Sequence, residues 1–263
     1  FNKSHAAAYA HVSYQTAYLR HYYFKDYMAA LMSAFLDSTG KILEYASECA
    51  KNGVKILSPD VNESGFGFSP VENGIRFALL AVKNLGYNSI RDLLNEREKG
   101  GAFKSLNDFC KRIGGRDLNQ RAIESLIKCG ALDRFGYSRR EMLENYDKIF
   151  GSVQGYSLKN MEGQINFFDA DNNNDGDSNS FSFERLPEYP LAVKLEMEKE
   201  IMGAYLSGHP LEDYSPYSKL CGMTDIARLY DELDPPKDGS EISLFCTLQC
   251  VKLYTQKNGA KMA

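Results

Sequence analysis

The stretch that decides the fold is residues 77–136, FALLAVKNLGYNSIRDLLNEREKGGAFKSLNDFCKRIGGRDLNQRAIESLIKCGALDRFG. Short apolar segments recur in it, and glycines break them at Gly86, Gly100–Gly101, Gly114–Gly115, Gly130 and Gly136. The segments ALLAVKNL, NSIRDLLNEREK, SLNDFCKRI and NQRAIESLIKCG read as short helices with brief connections, and RREMLENYDKIF extends the series to residue 150. Within it, NLGYNSI (84–90) forms a tight turn between two helices. Such a turn can aim backbone N–H groups and a helix N-terminus at a phosphate. Gly86 permits close backbone approach, Asn84 tolerates positive φ, and Lys83 and Arg91 flank the turn. An ordinary helix turn would look the same.

Upstream, VKILSPDVNESGFGFSPVENGIRFAL is rich in β-formers, with Pro59, Gly65, Gly67, Pro70 and Gly74 as turn marks. It reads as a small hairpin or two short strands. A helix is expected over about 40–52, stopping at Gly53. Residues 4–36 contain no Pro or Gly and carry many Tyr and Ala, with Ser4 as the expected N-cap. That stretch is too apolar for a lone surface helix, so burial between others or a break near Phe24 is expected. Downstream, residues 151–183 are polar and rich in Asn, Asp, Ser and Gly, the composition of a flexible linker. A helix over 189–207 should end at Gly208, with Pro210 beyond. From 241 the sequence alternates as a strand would and turns at Asn258–Gly259. The fold class expected is mainly α with minor β. The first residue is Phe rather than Met, and the last strand pair looks cut, so the chain reads as a piece of a longer one.

Composition narrows the function classes. Hydrophobic residues are 43% of the chain, enough for a real core. No apolar run reaches the roughly 18 residues of a membrane span, and no secretory signal is visible. The six cysteines (Cys49, Cys110, Cys129, Cys221, Cys246, Cys250) lack CxxC spacing, which suits reduced thiols in a cytoplasmic protein better than a zinc site. The net charge of −4 is uneven: residues 1–150 carry 21 Lys+Arg against 17 Asp+Glu, while residues 151–263 carry 10 against 18. Residues 76–148 hold 15 basic and 10 acidic side chains, compatible with phosphate binding and also with a solvated surface.

Two further stretches stand out. DADNNNDGD resembles a calcium loop starting at Asp171, but its twelfth position is Ser182 rather than Glu, so a solvated linker is the better reading. QINFFD (164–169) sets Ile165, Phe167 and Phe168 in a polar segment, as a docking peptide would, or as a linker folding back on its own domain would. No nucleophile–base set is visible. Among His5, His11, His21 and His209, only His5 lies in a polar cluster, with Asn2, Lys3 and Ser4. No metal-ligand set is expected.

The sequence resembles the family of bacterial DNA polymerase III alpha subunits, the C-family replicative polymerases. The resemblance is carried by FNKSHAAAYAHVSYQTAYL (1–19), KILSPDVNES (55–64), GIRFALLAVKNLG (74–86), FKSLNDFCKRI (103–113), LNQRAIESLIKCGALD (118–133), QINFFD and EKEIMGAYLSGHPL (198–211). It implies the end of a fingers domain over 1–75, a tandem helix-hairpin-helix region over 76–150, and a linker with a sliding-clamp peptide over 151–188. A helical connector over 189–240 and a truncated start of an OB-fold over 241–263 would follow. Asn84 stands where the family usually has the first glycine of its hairpin, Ile90 where a small residue is common, and Phe24 where it often has Pro.

The resemblance implies roles as well. Asn2, Lys3, Ser4 and His5 would lie near the incoming deoxynucleoside triphosphate. Lys83, Asn84, Gly86, Arg91, Lys104, Lys111, Arg112, Arg116 and Arg121 would contact duplex DNA. Gln164, Ile165, Asn166, Phe167 and Phe168 would bind the bacterial sliding clamp, with Phe167 in place of an aliphatic residue. The parent would be a DNA-directed DNA polymerase that uses magnesium and joins other replisome subunits. The palm carboxylates that hold two metal ions are absent from this sequence, so the chain itself is expected to be catalytically inactive and to hold no cofactor. It would be either a part of an enzyme or an autonomous module for duplex and clamp.

Overall fold

The computed structural model describes residues 2–114, 118–153, 181, 183–224, 236–244, 246, 253–255 and 261–262. The chain opens on helix α1 (Lys3–Tyr22). Its N-cap is Asn2, whose side chain accepts from the amide of Ser4 at 3.2 Å and from its hydroxyl at 2.8 Å. The cap expected at Ser4 therefore sits two residues earlier. A side-chain oxygen at extended φ/ψ satisfies one of the orphan first-turn donors, and Asn2 has that conformation. Of the two outcomes expected for residues 4–36, the break near Phe24 is the one found: at Tyr23 a φ of −129° and ψ of 49° leave the helical region. Helix α2 (Phe24–Ala34) follows and buries Met28, Ala29 and Met32. None of the residues of α1 is buried.

Helix α3 (Thr39–Lys51) leads into a three-stranded sheet of β1 (Ile56–Leu57), β2 (Ser69–Val71) and β3 (Gly74–Arg76). β2 and β3 form the expected hairpin, with Pro70 opposite Ile75, and β1 adds in parallel with Ile56 opposite Ile75. Gly74 is required at the hairpin's far end: its φ is +154°, and a Cβ there would overlap the carbonyl oxygen of Lys55.

The glycine-punctuated region is helical, but its first limb is shorter than the sequence suggests. ALLAVKNL forms only a 3-10 turn over Leu79–Ala81. Val82 is extended at φ −86° and ψ 125°, and Asn84 takes a left-handed φ of +64°, so no α-helix can continue through them. Helices α4 (Tyr87–Gly100), α5 (Leu106–Ile113) and α6 (Gln120–Lys128) follow. α5 and α6 start on side-chain caps, Ser105 accepting from Asp108 N and Asn119 from Ala122 N. Each turns one apolar stripe inward: Leu106, Phe109, Cys110 and Ile113 from α5, and Ala122, Ile123, Leu126 and Ile127 from α6. Helix α7 (Arg139–Glu144) begins on a full capping box of Ser138 and Glu141. The helix expected over 139–150 is interrupted at Asn145 and resumes as α8 over 146–153.

These elements share one core, in which Met28 and Met32 of α2 join Ile75, Phe77, Phe109, Ile123 and Leu126. Each large side chain so buried contributes about 1.5–3 kcal/mol. The core thereby fixes the helical hairpins to the sheet. Helix α9 (Leu191–Met202) ends five residues before the expected stop. Gly203 at φ +71° closes it, its amide bonding to the Lys199 carbonyl, and a Cβ there would overlap Thr39.

Two compact units divide the chain, Phe1–Ser207 and Gly208–Ala263. In the second, a 3-10 turn (Glu212–Tyr214) precedes α10 (Ser215–Leu220), and Thr224 bridges to Leu244. Strand β4 (Tyr254–Thr255) pairs antiparallel with β5 (Lys261–Met262), on either side of the turn expected at Asn258–Gly259, which lies outside the described residues. The molecule is mainly α with minor β, as its sequence suggests.

Candidate nucleic-acid interface

The turn between the 3-10 limb and α4 is built from opposed demands. Leu85 is buried and pins it to the core, while Lys83, Asn84, Gly86, Tyr87 and Asn88 are exposed around it. Asn84 is the non-glycine residue with positive φ among those described, and its amide nitrogen donates to Ser125 Oγ of α6 at 3.0 Å. That bond offsets part of the cost of the left-handed backbone. Gly86 serves as N-cap of α4 at φ −79° and ψ 157°, and no side chain caps the helix. In the first turn of α4 Tyr87 and Asn88 are exposed while Ser89 and Ile90 are buried, and the exposed cation Arg91 follows, paired with Asp92 at 3.2 Å. Backbone amides at a helix start, with nearby cations, suit an anion.

Helix α9 supports the turn from beneath. The Lys83 amide donates to Ile201 O at 3.1 Å and its ammonium to Glu200 O at 2.6 Å, so Lys83 occupies carbonyls at the C-terminus of α9. Three ammonium donors leave Lys83 able to make further bonds from its exposed position.

The other expected DNA contacts divide into two groups. Lys104, Lys111 and Arg121 are exposed. Arg112 is drawn inward: it donates to the carbonyls of Glu96 and Gly101, lies 3.5 Å from Asp108 and stacks 4.3 Å over the ring of Phe103. It ties the α4–α5 connection together. Arg116 lies outside the described residues. Several other cations of this region are also committed internally. Arg134 pairs with Asp60 and Glu63, Arg76 with Glu63, and Lys128 with Glu124 and Glu200.

Asn2 caps α1, and Lys3, Ser4 and His5 lie exposed in its first turn, with the His5 ring 4.4 Å from that of Tyr9. Further along, Arg20 pairs with Glu48, and Arg20, His21, Phe24, Tyr27 and Asn52 line a cleft of about 620 Å³. The peptide Gln164, Ile165, Asn166, Phe167 and Phe168 lies outside the described residues, as does the acidic run from Asp171. Burial pushes the thiols of Cys110 and Cys129 up to about 12 and that of Cys49 to about 11, so none of the three is a nucleophile at neutral pH. No group of three or more His, Cys, Asp or Glu able to hold a metal occurs among the described residues, and no helix among them is long and apolar enough to cross a membrane.

One arrangement lay beyond sequence reasoning. Phe66, in the loop before β2, stacks on Tyr87 with ring centroids 4.7 Å apart and planes 22° apart. The only hint in the sequence is the position of Tyr87 directly after Gly86.

Comparison with known proteins agrees with this geometry. The family model described as a helix-hairpin-helix motif matches residues 53–142, from the start of the sheet to α7. The DNA polymerase III subunit alpha of Vibrio cholerae is 36% identical over 263 residues, covering 100% of this chain and 22% of that protein. The subunits of that name from Borreliella burgdorferi and Thermus aquaticus are 35% and 38% identical, covering 100% and 89% of this chain and 23% and 19% of their own lengths. The chain, which contains a helix-hairpin-helix motif, is therefore related by sequence along its length to a segment that makes up about a fifth of these DNA polymerase III alpha subunits.

Proposed function

We propose that this chain is the duplex-holding part of a bacterial DNA-directed DNA polymerase, and that Lys83, Asn84, Gly86 and Arg91 at this turn grip the DNA backbone. The observation that carries this is the exposed turn itself: left-handed Asn84, Gly86 with no side chain, and an exposed start of α4, with Lys83 before it and Arg91 after it. Contacts of this kind reach phosphate oxygens, so they position a duplex without reading its sequence. Lys104, Lys111 and Arg121 would extend the contact, and Arg116 belongs to the same proposal.

Two further roles belong to this reading. The first turn of α1, with Lys3, Ser4 and His5 beyond the Asn2 cap, suits the oxygens of an incoming deoxynucleoside triphosphate. Residues 164–168 would tether the polymerase to the sliding clamp, alongside other replisome subunits in the cytoplasm. The magnesium ions of such an enzyme need several carboxylates held rigidly together. Among the described residues no group of three or more His, Cys, Asp or Glu could hold such ions, so no chemical step is assigned to their side chains.

The test is a fluorescence-anisotropy titration of the chain with a blunt duplex at several salt concentrations. Affinity should fall steeply as salt rises and should not depend on DNA sequence. Equal binding at low and high salt, or no binding at any salt, overturns the assignment.

A further inference from the structure

The pair Phe66–Tyr87 has no part in the duplex grip as described, yet it is built as a surface. Tyr87 is 60% exposed at the first position of α4, although its ring is held from behind by Phe66. Phe66 is itself anchored. The carbonyl of Gly65 accepts from Leu79 N at 3.0 Å and that of Phe66 from Leu80 N at 3.3 Å, which fastens the loop to the first limb of the hairpin. The Tyr87 ring therefore stands at the edge of the hairpin with one face covered and the other open. Arg91 lies four residues further along α4, the spacing of neighbours on one helical face, and exposed Lys83 precedes the helix across the turn.

A flat, fixed aromatic face with a cation one helical turn away binds a flat π-surface carried on a phosphate chain. A base inside a duplex has both faces covered by its neighbours and offers none. A base in single-stranded DNA next to a duplex does offer one. We infer that Tyr87, backed by Phe66, is a stacking platform for an unpaired base adjoining the duplex that the hairpin holds. This rests on the duplex-binding reading above and adds to it a preference for a junction between double- and single-stranded DNA. The pre-set orientation of the ring lowers the entropy lost on stacking, which is what separates a platform from an incidental exposed tyrosine.

Three DNAs distinguish the outcomes, each titrated against the full 263-residue chain and its Y87F, Y87L and Y87A variants: a blunt duplex, the same duplex with a thymidine extension, and that extension with abasic sites. The parent chain should bind the extended duplex more tightly than the blunt or the abasic one. Y87F should retain the gain. Y87A and Y87L should lose it, by about tenfold, while remaining folded by circular dichroism and holding the blunt duplex as before. Irradiation of 5-iododeoxyuridine in the extension should crosslink to Tyr87. If Y87A keeps the gain, or weakens blunt and extended duplexes equally, the platform is refuted and the ring packs elsewhere or against a sugar of the duplex. If the parent chain binds no DNA at all, the duplex-binding reading fails and the platform with it. If it binds the blunt duplex but gains nothing from the extension, only the platform fails.

Discussion

Glu198 is fully buried on α9, and its carboxylate gathers partners from three directions. Arg139 of α7 reaches it at 3.1 Å, the amides of Leu206 and Ser207 donate at 2.8 and 2.9 Å, and the Ser207 hydroxyl completes the set. Arg139, also buried, spends its remaining donors on Asp133 and the Lys128 carbonyl. Gly130 leaves room for it at φ +80°, where a Cβ would overlap its guanidinium. Breaking one side of such a pair leaves an uncompensated buried charge, so Glu198→Ala should cost about 3–5 kcal/mol in urea unfolding. The pH dependence has a definite sign. Burial pushes the Glu198 carboxyl up, but the Ser207 hydroxyl, the two amides and Arg139 outweigh it and hold the group below the ordinary Glu range. Its stabilisation is therefore complete above that range and is lost as pH falls through the lowered value. Burial raises Asp133 instead, which acts in the opposite sense. Glu198→Gln should flatten the acid-side loss of stability, and an unchanged acid limb in the variant would contradict this account. Neither residue is singled out by the sequence. They stand 59 positions apart within ordinary charged helices, and only the tertiary fold brings them together.

At the level of the helical hairpins, two cations expected to serve alike are placed differently. Arg91 is half exposed on the first turns of α4, whereas Arg112 fills the space beneath the α4–α5 connection. Arg91→Ala should therefore weaken duplex binding for all sequences and lower the slope of log affinity against log salt by about one, with little change in melting temperature. Arg112→Ala should do the reverse, costing about 1–3 kcal/mol of stability as two carbonyls lose their donor. Equal loss of DNA affinity in both, with both proteins intact, would place Arg112 in the interface after all. The local pattern was legible at this scale. The glycine breaks mark the helix ends, and Asn84 beside Gly86 signals a turn needing positive φ. The length of the first limb was not, because ALLAVKNL has good helix formers and only the packing of Leu85 and the tie from Lys83 to α9 end it at three residues. The exposure of every residue of α1 was equally hidden, since its Tyr and Ala content suits a covered helix.

Across the whole molecule, the proposed roles make separable demands. In the proposed polymerase, Lys3→Ala or His5→Ala should raise the apparent KM for nucleotide more than the dissociation constant for DNA. One charge-assisted hydrogen bond is worth about 1.5–3 kcal/mol, and loss of thermal stability alone would make these residues structural. The proposed clamp peptide, residues 164–168, lies outside the described residues, so its case rests on chemistry. Gln164 can both donate and accept at a polar subsite. Ile165, Phe167 and Phe168 can fill an apolar groove, each contributing on the order of 1.5–3 kcal/mol. Ordering a polar segment returns part of that, leaving a weak contact of roughly micromolar strength. Weak binding suffices when DNA holds both partners, because the second contact is then intramolecular and its effective concentration is high. A peptide covering residues 161–171 should therefore bind the bacterial sliding clamp, and Gln164→Ala with Phe168→Ala should abolish that binding. In the proposed polymerase the double variant should still extend a short primer, since nothing in the proposed grip on duplex or nucleotide has changed, but its processive runs should shorten. Clamp-dependent synthesis that is unaffected by the double variant would assign the tether to another part of the polymerase and leave residues 164–168 as linker.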